Sequence, residues 1–423
     1  MDGFTHRAGQ LYCEEVPLTL LAERYGTPLY VYSRSALLNR LKELQEAFAP
    51  ASPLICYSVK ANSNLSILRL LGKAGAGFDI VSGGELFRAL NAGADPSKIV
   101  FAGVGKSPRE IAAAIRAGIR MFNAESEAEL QAADAAAKAL HCRATVALRI
   151  NPDVDARTHA KTTTGRKDNK FGIALPHARE IFARHGRYPN LDITGIHLHL
   201  GSPIYTVEPY RKALEKMRSF VAEVRGTGAQ LRTINMGGGY CISYEGQKVI
   251  APRDYARAIL PAVRQMGLGL IIEPGRFIVG NSALLLGRVT YVKEGWLGRK
   301  FVILDAGMND LMRPALYGSY HQIWPVRGPA APILGGRARK GARLETVDIV
   351  GPICETTDCF ARERRIPRMR AGELVALFST GAYGMSMSSS YNSRPRAAEV
   401  LVSGGRARVI RKRETYDDLT RGE

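Results

Sequence analysis

The chain has 423 residues, 46% of them hydrophobic, and 59 Lys and Arg against 39 Asp and Glu, a formal net charge of +20. That length exceeds one ordinary domain and suits a (β/α)8 barrel with a smaller partner, and the apolar share supports a large core. The basic residues are spread along the chain, and the densest run, 406–413, has no aromatic partners. This argues against a nucleic-acid surface and for attraction of an anionic substrate or cofactor.

No apolar run is long enough to span a membrane, and no charged segment leads into a long apolar run at the amino terminus. Six cysteines, Cys13, Cys56, Cys142, Cys241, Cys354 and Cys359, are scattered without a CxxC pair or a zinc spacing. Reduced thiols, no metal site and a cytoplasmic location are the expectation.

In chain order, 18–25 reads as a short helix, 28–31 as a strand, and 33–48 as a helix capped by Ser33 or Ser35. From Pro53 a rhythm begins. Short apolar runs at 54–60, 78–82, 99–103, 120–124, 145–150, 193–199, 232–237 and 268–273 alternate with amphipathic stretches at 65–74, 85–92, 108–117, 126–140, 178–185, 208–225 and 255–266. Eight such runs predict an α/β fold, a (β/α)8 TIM barrel; a doubly wound sheet is the alternative. After Phe277 the rhythm changes to strands at 302–305, 345–350, 374–378, 397–402 and 406–410 with little helix between them. The expected division is a barrel over 30–278 and a second, β-rich domain from 1–29 plus 279–423. The stretch 325–341 is expected to be an exposed loop.

Lys60, Glu125, Arg149, His199 and Glu273 each sit at or beside the carboxyl end of a run, and Asp79 lies near the end of its own. Barrel enzymes build their sites on that face. Lys60 follows an apolar strand, where desolvation disfavours an ammonium and a neutral amine can attack a carbonyl. A lysine snorkelling into water is the structural alternative.

Gly237-Gly238-Gly239 and Glu273-Pro274-Gly275-Arg276 follow the seventh and eighth runs, whose loops commonly hold a phosphate in barrels. A tight turn and a Glu273–Arg276 salt bridge are the alternatives. His197-Leu198-His199 offers two imidazoles on one strand face, but no third metal ligand at fixed spacing. Cys354-Glu355 places a thiol beside an acid after a strand, and Gly381-Ala382-Tyr383-Gly384 flanks a tyrosine with glycines.

Taken in order, Tyr57-Ser58-Val59-Lys60-Ala61-Asn62, Gly77-Phe78-Asp79-Ile80-Val81-Ser82-Gly83-Gly84-Glu85, Asn169-Lys170-Phe171-Gly172, Asp305-Ala306-Gly307-Met308-Asn309-Asp310 and the motifs above resemble the fold-type III pyridoxal-phosphate-dependent decarboxylases, which share an alanine racemase-like fold. Within that family the chain is similar to the branch that converts meso-2,6-diaminopimelate to L-lysine and CO2, the last step of lysine biosynthesis. The resemblance implies pyridoxal 5'-phosphate as cofactor. Lys60 would hold it as a Schiff base, His199 would stack on its ring, and Glu273 would pair with its pyridine nitrogen. Asp79, Ser202, Gly238, Gly239, Pro274, Gly275, Arg276 and Tyr383 would complete its site. Arg276, Arg313, Tyr317 and Tyr383 would contact substrate, the arginines taking its distal carboxylate and Glu355 its distal ammonium.

By the same resemblance Cys354 would donate a proton. Cys354 and Glu355 would come from a partner chain in a homodimer, with the β-rich domain contributing to the active site and the dimer interface. The chain departs from the family's usual Glu-Ser-Gly-Asp at Glu355-Thr356-Thr357-Asp358, and from a more aromatic loop at Ala160-Lys161-Thr162-Thr163-Thr164-Gly165. A related decarboxylase of arginine, ornithine or carboxynorspermidine, and a non-catalytic binding relative, are the alternatives.

Overall fold

The computed structural model describes residues 1, 3–156, 169–334 and 344–423. The departure at Ala160-Lys161 and the end of the 325–341 loop lie outside them.

One compact unit comprises Arg40–Cys241 and Val249–Gly275. Its parallel strands are β1 (Leu54–Ser58), β2 (Gly77–Ile80), β3 (Ile99–Phe101), β4 (Met121–Ala124), β5 (Ala144–Asn151), β6 (Leu191–His197), β7 (Thr233–Asn235) and β8 (Gly269–Ile272). They pair in sequence order, and β8 returns to β1 through Ile271 opposite Leu54 and Ile272 opposite Ile55, which closes the barrel. Each strand is short and apolar because both faces are covered, by helices outside and by facing side chains inside. Cys56, Val100, Met121, Ala147 and Ile271, from five different strands, form one buried cluster.

The helices that follow the first four strands begin where the sequence supplies an acceptor for their free N–H groups. Asn64 accepts from Ser66, Ser82 from Glu85 and Ser126 from Glu129, and Ser107 forms a capping box with Glu110. These caps fix where each of the first four strands hands over to its helix, at the barrel end that carries Lys60, Asp79 and Glu125.

The other compact unit comprises Met1–Asn39, Ile242–Lys248 and Arg276–Glu423. Its sheet runs Cys359–Pro367, Leu344–Val350, Lys300–Leu304, Ala283–Glu294, Leu29–Ser33, Ala398–Ser403, Arg406–Arg411, with Leu374–Phe378 also paired to Ala283–Glu294. The twelve-residue strand Ala283–Glu294 organises it. Its buried first half pairs with Leu29–Ser33 and Leu374–Phe378, and its exposed second half pairs with Lys300–Leu304. Among the described residues no helix is long and apolar enough to cross a membrane.

Candidate active site

Lys60 lies two residues beyond the strand expected to carry it. β1 ends at Ser58, and Val59–Ala61 forms a 3-10 turn. The sequence suggests a desolvated amine, but the Lys60 side chain is 36% exposed and its setting is an ion pair. Its Nζ stands 2.6 Å from Oδ2 of Asp79, a fully buried carboxylate at the end of β2. Ser58 Oγ donates to the same oxygen at 2.6 Å, while Asp79 Oδ1 is buried without a partner. Burial and the nearby Glu273 charge push the Asp79 carboxyl up, and Lys60 and Ser58 oppose that shift.

Glu273 follows β8 directly and is buried in the barrel. Its Oε1 accepts from Asn123 Nδ2 at 3.0 Å and from Asn235 Nδ2 at 2.6 Å, and its Oε2 accepts from His197 Nε2 at 3.2 Å. Burial alone would raise its pKa. The charge and hydrogen bond of His197, with Lys60 adding, win and hold it well below the usual carboxylate range. Glu273 is therefore a buried anion with three donors. Asn123 and Asn235 were not singled out in the sequence, although each is a polar residue inside an apolar run and buried polar groups need partners.

His199, two residues past β6, accepts at Nδ1 from the Gly238 N–H at 3.3 Å. Burial pushes its pKa well down, and the charges of Arg149 and Lys60 push it further. The ring is neutral and carries its proton at Nε2.

The glycines around it leave no room for side chains. A Cβ at Gly237 (φ +63°) would lie 2.4 Å from Leu198 O, and one at Gly238 would lie 2.6 Å from Glu273 O. A Cβ at Gly239 (φ +101°) would meet Tyr210 Oη at 2.6 Å and Gly201 O at 2.8 Å, and one at Gly275 would meet Ser58 Cβ at 2.9 Å. Gly237 and Gly238 are packed against backbone carbonyls and Gly239 and Gly275 partly against side chains, and glycine-bare backbone is the kind that admits an anion to N–H groups. Ser202 lies on the loop that carries Gly201, and Pro274 O accepts from the Ser58 N–H at 3.1 Å. The barrel unit thus gathers Lys60, Asp79, His199, Gly237–Gly239, Glu273 and Gly275. An amine, a buried ionised acid and a side-chain-free cradle match the three ends of a phosphorylated pyridine aldehyde.

Arg276 comes next in the chain and belongs to the other unit. Its Nη1 donates to Tyr244 Oη at 2.7 Å, and its guanidinium lies 5.0 Å from the centre of the Tyr383 ring. Arg313 lies 5.7 Å from the same ring, 5.8 Å from that of Tyr244 and 5.9 Å from that of Tyr317. Arg313 Nη2 donates to Ser319 Oγ at 3.0 Å, while its Nε is buried without a partner.

Two buried guanidinium groups repel each other, and burial together with Arg276 lowers the Arg313 pKa. Aromatic faces offset part of that cost, and an anion would offset more. Sequence reasoning missed Tyr244 and His321. The His321 ring sits edge-on to Tyr244 at 5.6 Å, and burial, followed by Arg313, lowers its pKa to about 3, so it stays neutral and donates from Nδ1 to Phe378 O at 2.9 Å.

Cys354 and Glu355 form a second cluster in this unit. Cys354 is exposed, and its N–H donates to Asn392 Oδ1 at 2.9 Å. Glu355 accepts from Thr357 Oγ1 at 2.8 Å and from Tyr391 Oη. Asp358 anchors the loop by accepting from the Ile353 N–H at 2.6 Å and the Met308 N–H at 2.7 Å.

Known proteins carry the same plan. Residues 34–280 match the family model of the pyridoxal-dependent decarboxylases, pyridoxal binding domain. A diaminopimelate decarboxylase of Neisseria meningitidis is 47% identical over 413 residues, 98% of each chain. One of Pseudomonas aeruginosa is 44% identical over 423 residues, 100% of this chain and 99% of its own. The diaminopimelate decarboxylase of Helicobacter pylori complexed with L-lysine superposes with a TM-score of 0.89 at 40% identity, over 96% of this chain and 98% of that one. With the barrel closed, the amine and buried acid in place, and the match running over both units, the chain belongs to the pyridoxal-dependent decarboxylases.

Proposed function

We propose that this protein decarboxylates meso-2,6-diaminopimelate to L-lysine and CO2, the last step of lysine biosynthesis, with pyridoxal 5'-phosphate as cofactor. The buried arginine pair carries the choice of substrate. Arg276 and Arg313 lie against Tyr244 and Tyr383, and Arg313 keeps a buried N–H without a partner. A second carboxylate on the substrate satisfies such a pair through a bidentate fork. Ornithine or lysine brings none and leaves the buried Arg313 N–H without a partner.

Lys60 holds the cofactor, and Asp79 positions the amine. Gly239, Gly275, Ser202 and Arg276 supply donors for the phosphate, Gly238 lines the cofactor site with its N–H on His199, Pro274 fixes the turn, Tyr383 closes over the cofactor, and neutral His199 lies on the ring. Glu273, kept ionised by Asn123, Asn235 and His197, holds a proton on the ring nitrogen. When bound, the cofactor supplies the electron sink for the pair left behind by CO2. The thiol of Cys354 then delivers a proton to the α-carbon. Arg276, Arg313 and Tyr317 take the distal carboxylate, and Glu355 takes the distal ammonium. The protein works in the cytoplasm as a homodimer that shares Cys354 and Glu355 between subunits, with the β-rich body contributing to the interface.

Arg313→Ala tests the substrate assignment. It will lower kcat/KM for meso-diaminopimelate by roughly 10²–10³-fold, the cost of leaving a buried charge unpaired. The visible absorbance of bound cofactor will remain. Undiminished use of diaminopimelate by the variant would reassign the distal carboxylate.

A further inference from the structure

We propose that the hydroxyl of Thr357, acting with the phenol of Tyr391, is a positioning device that holds the Glu355 carboxylate ready for an α-amino-acid ammonium. The proposal rests on the reading of Glu355 as the group that takes the substrate's distal ammonium.

The two donors serve different oxygens. Thr357 Oγ1 reaches Oε2 at 2.8 Å, and Tyr391 Oη reaches Oε1. Thr357 Oγ1 also lies 3.7 Å from Met308 Sδ, but a carboxylate is the stronger acceptor and takes the hydroxyl proton. Glu355 is otherwise an exposed side chain, free to sample its rotamers. Fixing it before the ligand arrives removes that ordering cost from binding.

Neutral donors do this without cancelling the charge that must meet the ammonium. A carboxylate offers about four lone-pair sites, so two donors leave about two open. The same two hydrogen bonds lower the Glu355 pKa and keep the group ionised.

The backbone around the carboxylate is equally fixed. Glu355 N–H donates to Ile353 O at 2.7 Å, Asp358 N–H to Glu355 O at 3.1 Å, and Cys359 N–H to Thr357 O at 2.7 Å. Asn392, beside Tyr391, accepts from Cys354 N–H, so one short turn secures both neighbours of the loop. That turn holds Asn392 at φ +54° and Ser393 at φ +52°. Because Thr357 and Tyr391 travel with Glu355 in one chain, the device is the same whichever subunit's substrate it serves.

The test compares Thr357→Val, Thr357→Ser and Glu355→Gln in the holoenzyme. Two readouts are taken: KM and kcat for meso-diaminopimelate, and the Kd of L-lysine by calorimetry. L-lysine keeps the amino-acid end distant from the reacting carbon and binds without turnover. Thr357→Val, nearly the same shape without the donor, will raise both KM and Kd roughly 3- to 10-fold, with a smaller change in kcat. Thr357→Ser, which keeps the donor, will restore them.

If Thr357→Val leaves both constants unchanged while Glu355→Gln raises them, the positioning role is wrong and the role of Glu355 stands. If Thr357→Ser fails to rescue, the effect is one of shape and the positioning role is again overturned. If Glu355→Gln changes neither constant, the ammonium assignment fails and takes this inference with it.

Discussion

Replacing Lys60 with alanine will remove the visible absorbance of bound cofactor and reduce decarboxylation to background. The amine is the only lysine nitrogen paired with Asp79 among the described ion pairs, and its turn is fixed by β1 behind it and the Asn64-capped helix ahead. Alanine retains that backbone and deletes the nucleophile. It also leaves Asp79 with Ser58 as its remaining side-chain donor; burial then favours the protonated acid, so the pocket loses a cation and an anion together. Absorbance spectra of the purified variant, with circular dichroism to show an intact barrel, check the result. Full activity would remove Lys60 from the chemistry.

Cys354→Ala will slow turnover by roughly 10²–10⁴-fold, the range expected for loss of a positioned acid. The thiol is exposed within its own chain, while its backbone is held by Asn392. Substitution therefore removes the Sγ proton without disturbing a core. Cofactor absorbance and L-lysine binding in the variant separate a lost proton donor from a lost site. A rate equal to the parent's would assign the proton transfer elsewhere.

The barrel was legible because its strands are short apolar runs that alternate with amphipathic helices, the first four of them capped, a pattern with one common architecture. All eight runs are strands, yet Lys60, His199 and Glu273 fall one or two residues beyond their ladders. The apolar run continues past the last ladder bond, so sequence overshoots the strand end.

The β-rich unit was harder to read. In Ala283–Glu294 the run Leu284-Leu285-Leu286 has no period of its own, and the exposed second half carries Lys293 and Glu294. Cys359–Pro367, with Arg362, Glu363, Arg364 and Arg365, resembles a solvated loop until it is paired with Leu344–Val350. Both were missed as strands.

The acids and amines of the candidate site announced themselves by standing at run ends. Their supporting partners did not. Asn123 and Asn235 matter only once Glu273 is seen between them, and Tyr244 only once Arg276 is seen to donate to it. Tyr391 is 36 residues from Glu355, and no spacing rule connects the two.

Supplying the purified protein with pyridoxal 5'-phosphate and meso-2,6-diaminopimelate, and following both products, tests the central claim most directly. L-lysine and CO2 released in equal amounts, and lost together in Lys60→Ala, is the predicted result. No lysine from diaminopimelate, with CO2 released instead from ornithine or arginine, would contradict it.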